Sequence, residues 1–127
     1  MLIYNVKMLE KNTIIDTSTA LKLRQLASLQ MAAAQACALL KALANPARLL
    51  LLCHISQQEY CVSDLERLTD IRQPTLSQQL AVLREERIVS TRRDGKQIFY
   101  SIASMEALAV MQVLYEQFCN NDKGETQ

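Results

Sequence analysis

The sequence has few of the residues that interrupt regular structure: two glycines and two prolines in 127 residues. With Leu, Ala and Gln so abundant, that scarcity argues for a mostly helical fold. Aromatic residues make up only 5%, so the core of a chain of one-domain length is modest unless a second subunit adds to it. An excess of charge is missing too. The net charge of +1 does not announce a nucleic-acid partner, but the distribution says more. Arg84, Arg87, Arg92, Arg93 and Lys96 crowd one segment, diluted by Glu85, Glu86 and Asp94, and such a local patch suffices for phosphate contact.

The opening Met-Leu-Ile-Tyr-Asn-Val-Lys-Met breaks its apolar run early, and no stretch is expected to approach the ~20 apolar residues of a membrane span. A signal peptide is likewise not expected, which makes the chain cytosolic. Its four cysteines, Cys37, Cys53, Cys61 and Cys119, are then reduced at rest rather than a structural framework. No two of them are spaced C-x-x-C, which argues against a zinc ribbon and a thioredoxin-type motif.

What is present is periodic. Residues 1–16 show no clear period and read as a loose arm, 17–119 as one domain, and 120–127 as a polar tail. From Asp16, a capping candidate, a helix runs to about Leu43, with Leu26, Leu29, Ala33, Ala36, Leu40 and Leu43 at three-four spacing. Its alanine-rich seam suits a dimer interface, and packing within one subunit is equally compatible. Asn45 caps and Pro46 opens a second helix, in which Leu49, Leu50, Leu52, Cys53 and Ile55 are read as buried. Ser63 with Glu66 reads as a capping box opening a short helix through Leu68. After a turn over 70–73, Pro74 sits in the first turn of the next helix. Leu76, Leu80 and Leu83 face its core side, leaving Gln73, Thr75, Gln78 and Gln79 elsewhere.

Beyond Arg87 the period becomes two. Ile88–Arg92 and Gln97–Ile102 read as strands joined by Arg93-Asp94-Gly95-Lys96, followed by a helix from about Ser104 to Cys119. Two short helices, a tight turn and a basic two-stranded ribbon make a winged helix-turn-helix: mainly α, five helices, one β-hairpin. Gln78 and Gln79 each offer the donor and acceptor that an adenine edge asks for. Thr75 and Ser77 can bond a base or a phosphate, Gln73 at the start of the helix is expected to join them on DNA, and Arg92, Arg93 and Lys96 can neutralise phosphates or enter the minor groove. Taken singly these are ordinary surface residues; in this order they point to double-stranded DNA.

Leu-Lys-Ala-Leu-Ala-Asn-Pro-Ala-Arg-Leu (40–49), Val-Ser-Asp-Leu (62–65), Leu-Ser-Gln-Gln-Leu (76–80) and the Asp94-Gly95 wing resemble the arsenic-repressor (ArsR/SmtB) family over about residues 30–119. The resemblance implies a homodimer through the first and last helices that represses genes from an inverted-repeat operator until an inducer loosens it. Family members often carry a serine cap where Arg72 stands; Arg72 cannot cap that way, but it can reach a phosphate. Arsenite-sensing members resemble Cys-Val-Cys-Asp-Leu, and Ser63 here replaces the second thiolate. Zinc-sensing members use Asp, His and Glu on the last helix, which here offers only Glu106 and Glu116; His54 is the sole histidine. A metal is therefore not the expected effector, and no cofactor is implied.

Cys53 and Cys119 stand where the sulfide-responsive repressors of the SqrR and BigR type carry their sensing thiols. That resemblance implies a dithiol that persulfides or polysulfides link, releasing the operator and derepressing sulfide detoxification. Cys37 reads as packing and Cys61 as a partly exposed bystander. Both candidate sulfurs lie near helix C-termini, where the macrodipole favours the protonated thiol. Three alternatives stay open: a general oxidant as trigger, a thiol enzyme, and an interaction module that has lost its DNA contacts. The enzyme reading lacks a C-x-x-C, a paired base and a Gly-rich loop.

Overall fold

The computed structural model describes residues 16–119. The rest of the expected arm and the expected tail, 1–15 and 120–127, lie outside the described residues. The order is α1 (Thr17–Leu43), α2 (Pro46–Ile55), β1 (Tyr60–Cys61), α3 (Val62–Thr69), α4 (Thr75–Glu85), β2 (Val89–Asp94), β3 (Gln97–Ile102) and α5 (Met105–Phe118). The chain divides within α1, between Cys37 and Ala38, into two units, each taken by itself below.

The first unit's described part is a single helix. Asp16 caps it as expected, its Oδ1 accepting from the Thr19 amide at 2.7 Å. Leu21, Leu29 and Met31 are exposed, and so is Cys37, against the expectation that it packs. By length and composition alone, α1 as a whole is long and apolar enough to cross a bilayer, with a window of mean hydropathy 1.4. Its alanines raise the average without forming an unbroken apolar run.

In the second unit, local signals set the element ends. The Asn45 side chain accepts from the Arg48 amide at 3.1 Å, and Pro46 occupies the first turn of α2, where a missing N–H costs nothing. Leu51, Leu52 and Ile55 are fully buried, whereas Leu50, expected inside, is 40% exposed; the inward face is rotated by one residue. The expected capping box is not formed. Helix α3 begins at Val62, so Cys61 holds the cap position and Ser63 already lies within the first turn. Asp70 ends α3 in the left-handed conformation, φ 60°. Ser104 caps α5, accepting from the Ala107 amide at 3.0 Å.

The wing is tighter than expected. Asp94 and Gln97 are paired, leaving only Gly95 and Lys96 in the turn. Gly95 has φ +65°, a region that glycine enters without a Cβ penalty. A third strand was not anticipated. Tyr60 and Cys61 pair antiparallel with Tyr100 and Phe99, so the sheet order is β1-β3-β2 with β3 in the centre. Two residues are too few to show a period, which is why the sequence pattern hides β1. The core joins Leu51, Leu52, Ile55, Leu65, Leu76, Leu80, Leu83, Ile88, Val89, Ala107 and Met111. It thereby fixes α4 and the wing on one scaffold.

Candidate nucleic-acid interface and thiol cleft

Helix α4 turns its three leucines, Leu76, Leu80 and Leu83, wholly inward. At about 100° per residue, Gln78 then points away from the core, while Gln79 lies at its margin. Exposure follows that wheel: Thr75, Ser77 and Gln78 are exposed, and Gln79 is half-buried. Arg72, Arg93 and Lys96 are exposed as well. A shallow cleft of ≈ 450 Å³ runs between α4 and the sheet, lined by Ser77, Ala81, Arg84, Glu85 and Tyr100. It puts Arg84 beside the polar face of α4, an extra cation that the motif reading left out of the DNA set.

Three of the expected DNA-contacting residues have other duties. Gln73 caps α4: its Oε1 accepts from the Ser77 amide at 3.0 Å, supplying the cap that Arg72 cannot. Pro74 is the residue before the helix rather than in its first turn. The Oε1 of Gln79 accepts from Arg48 Nη1 at 2.8 Å, so one end of the amide needed for a bidentate adenine contact is taken. Arg92 is held by Glu59, with Nε donating to both carboxylate oxygens at 2.9 and 3.0 Å. Its guanidinium also stacks 4.6 Å from the Phe99 ring centroid. The Arg92 bond pulls the Glu59 carboxyl below its ordinary range, and Glu59 in turn raises Arg92. Such a fork is a structural tie before it is a phosphate contact. Sequence reasoning missed Arg48 and Glu59 because their partners lie 31 and 33 positions away.

The cysteines separate into distinct environments. Cys61, expected to be partly exposed, is buried. Its thiol donates to Asp64 Oδ2 at 3.2 Å and lies 3.2 Å from Ser63 Oγ. That bond, followed by the one from Arg67, holds the Asp64 carboxyl below its ordinary range. Cys53 is half-buried in the last turn of α2, and its carbonyl accepts from Ser56 Oγ at 3.2 Å. It lines a cleft of ≈ 600 Å³ between α2 and α5 together with Ser56, Gln57, Leu108, Met111, Gln112, Tyr115 and Glu116. Cys119 follows α5 and is exposed, its amide donating to the Tyr115 carbonyl at 2.8 Å. Burial pushes the Cys53 thiol pKa up, and the nearby Cys119 thiolate pushes it further. The direction is the one expected from helix ends, but burial is the first cause. Among the described residues no three or more His, Cys, Asp or Glu side chains come together to hold a metal ion.

A helix presenting exposed polar side chains beside a basic wing defines a winged helix-turn-helix, the arrangement of a DNA-binding protein. The chain matches the family described as bacterial regulatory protein, arsR family, over residues 45–91, from the cap of α2 into β2. It is 52% identical over 94 residues to the biofilm growth-associated repressor of Agrobacterium fabrum, across 74% of this chain and 80% of that protein. Among solved structures, the transcriptional repressor BigR from Xylella fastidiosa aligns with a TM-score of 0.69 at 45% identity, covering 73% of this chain and 95% of that one. Reduced HlyU from Vibrio cholerae aligns at 0.70 with 36% identity, covering 72% and 97%. The chain belongs to the arsR family of bacterial regulatory proteins.

Proposed function

We propose that this regulator is a cytoplasmic repressor that binds an inverted-repeat operator as a homodimer and senses reactive sulfur species through Cys53 and Cys119. Residues Arg72, Thr75, Ser77, Gln78, Arg93 and Lys96 make the DNA contacts, while Gln73, Gln79 and Arg92 shape the surface that makes them. Exposed apolar residues of α1 and α5, among them Leu29, Leu40, Val113, Tyr115 and Phe118, meet a second copy. The observation that carries the sensing role is the place of Cys53 in the α2–α5 cleft, with Cys119 just past the end of α5 near enough to disfavour the Cys53 thiolate. Two thiols that near to each other are candidates for a covalent link.

The chemistry is a two-electron oxidation of the dithiol. A Cys119 or Cys53 thiolate takes the outer sulfur of a persulfide, releasing a thiol and leaving a cysteine persulfide. The second thiolate then attacks the inner sulfur and expels sulfide, so the incoming sulfane sulfur is reduced as the dithiol is oxidised. A direct disulfide needs Cα atoms at roughly 4.4–6.8 Å, and retained sulfur atoms bridge a wider gap. Linking α2 to α5 changes how the two winged heads are presented, weakening operator binding by about 100-fold, on the order of 3 kcal/mol.

Mass spectrometry of polysulfide-treated protein tests the reading. Loss of operator binding should coincide with a Cys53–Cys119 link, and serine at either position should abolish induction. Full release of DNA with both thiols unlinked would refute it, and equal potency of peroxide would replace the inducer with a general oxidant.

A further inference from the structure

Helix α1 ends at Leu43, and the last carbonyls of any helix lack partners within it. Here Arg48, from the first turn of α2, takes two of them. Its Nε donates to the Ala42 carbonyl and its Nη2 to the Lys41 carbonyl at 3.2 Å. The remaining arm of the same guanidinium, Nη1, donates to Gln79 Oε1 on α4. A guanidinium is planar and its donors are fixed in a fork. Three acceptors on one fork therefore place Gln79 relative to the end of α1. The cation also suits the negative end of the α1 dipole.

Beside this clamp lies a cavity of ≈ 290 Å³ lined by Ala38, Lys41, Ala42, Arg48, Val82 and Glu86. Between the end of α1 and this edge of α4 the hydrogen bonds of Arg48 therefore supply a constraint beside an open cleft. Gln79 sits at the core margin next to Leu76, Leu80 and Leu83, whereas its neighbour Gln78 is exposed. Two adjacent glutamines of the same helix have different tasks.

We propose that Arg48 is a positioning residue for DNA reading: it sets the placement of α4 by pinning Gln79 to the C-terminal carbonyls of α1, and Gln79 acts through Arg48 rather than on a base. The proposal rests on α4 being the DNA-reading helix, and it assigns Gln78 alone of the pair to base contact. It also makes the end of α1 a determinant of how the reading helix is aimed.

The test is fluorescence anisotropy on a duplex selected from random-sequence DNA by the wild-type chain, repeated between about 50 and 200 mM salt. Arg48→Met and Gln79→Leu should each weaken binding about tenfold, with the wild-type dependence on salt, and the double variant should be no weaker than either single one. Gln79→Glu, which keeps an acceptor for Arg48, should stay within about fivefold of wild type and select the same sequence. If circular dichroism shows Arg48→Met unfolded, Arg48→Lys, which keeps the charge without the fork, replaces it with the same expectation. An unaltered affinity in the Arg48 variant would overturn the proposal, as would a salt slope reduced by about 1, the mark of a direct phosphate contact. A changed base preference in Gln79→Glu would overturn it too, by making Gln79 a reader. A wild-type chain that selects no duplex removes the DNA reading itself, whereas wild-type selection with unaltered variants removes only the role of Arg48.

Discussion

Helices α1 and α4 both carry leucines at helical spacing, yet they use them in opposite ways. In α4, Leu76, Leu80 and Leu83 are fully buried and the polar residues face outward. In α1, Leu21, Leu29, Met31 and Leu40 are 50% to 68% exposed, and only Ala42 and Leu43 at its end are buried. The reading half of the molecule is therefore complete within one chain, while α1 leaves most of its large apolar side chains bare. Period alone does not distinguish the two cases; the burial that each helix finds does.

The largest effect should come from the core side of this contrast. Leu80→Ala removes a fully buried side chain and should cost about 2–5 kcal/mol, read as a fall in the thermal or denaturant midpoint. Leu29→Ala, in protein dilute enough to be monomeric, should cost under about 0.5 kcal/mol. Equal losses would erase the distinction.

Next comes self-association. Leu29→Gln combined with Phe118→Ser alters two exposed apolar positions and should weaken it about 10- to 100-fold by sedimentation. The dilute protein's far-UV spectrum should be unaltered. An unchanged sedimentation profile would place the contact elsewhere.

The wing supplies a smaller, electrostatic effect. Arg93→Ala and Lys96→Ala should each lower the salt slope of operator binding by about 1, whereas Arg92→Ala should change it little, because Glu59 already occupies that guanidinium. The same tie has a pH sense. The Glu59 carboxyl lies below its ordinary value in the folded state, so its contribution is present above the ordinary carboxylate range and is lost as pH falls through the lowered value. The protection factors of the wing amides, measured against the intrinsic exchange rate at each pH, should fall on acidification in wild type and lose that sensitivity in Glu59→Gln.

The smallest effect is a rate. Burial and Cys119 raise the Cys53 pKa, so alkylation of Cys53 by iodoacetamide should need a higher pH than a model thiol. In Cys119→Ser that pH should move partway back, since burial remains. No movement would mean that the two sulfurs do not feel each other.

Much of the scaffold is legible in the sequence because its signals are local. Asn45-Pro46, Ser104 and Asp94-Gly95 each act within a few residues, and the structure places a cap, a cap and a hairpin turn there. What stayed hidden depends on distant partners. The Arg48–Gln79 and Glu59–Arg92 bonds and the short strand β1 join segments that no periodicity connects. The Ser63 box failed for another reason: Cys61 is already extended, with φ −86° and ψ 170°, and takes the cap position two residues earlier. Of the residues expected to face DNA, Gln73, Gln79 and Arg92 are held by the protein itself.

The brief strand Tyr60–Cys61 has a mechanical consequence. Helix α2 stops at Ile55, residues 56–59 follow, and the chain then pairs with the middle strand of the wing. The His54 ring meets Tyr60 edge-on at 6.2 Å, and Glu59 grips Arg92 on the neighbouring strand. The final turn of α2, where Cys53 sits, is thereby joined to the wing sheet by a connector of residues 56–59 alone. On the proposed sensing role, a displacement at that sulfur has only this short span of chain to cross before it meets the ribbon.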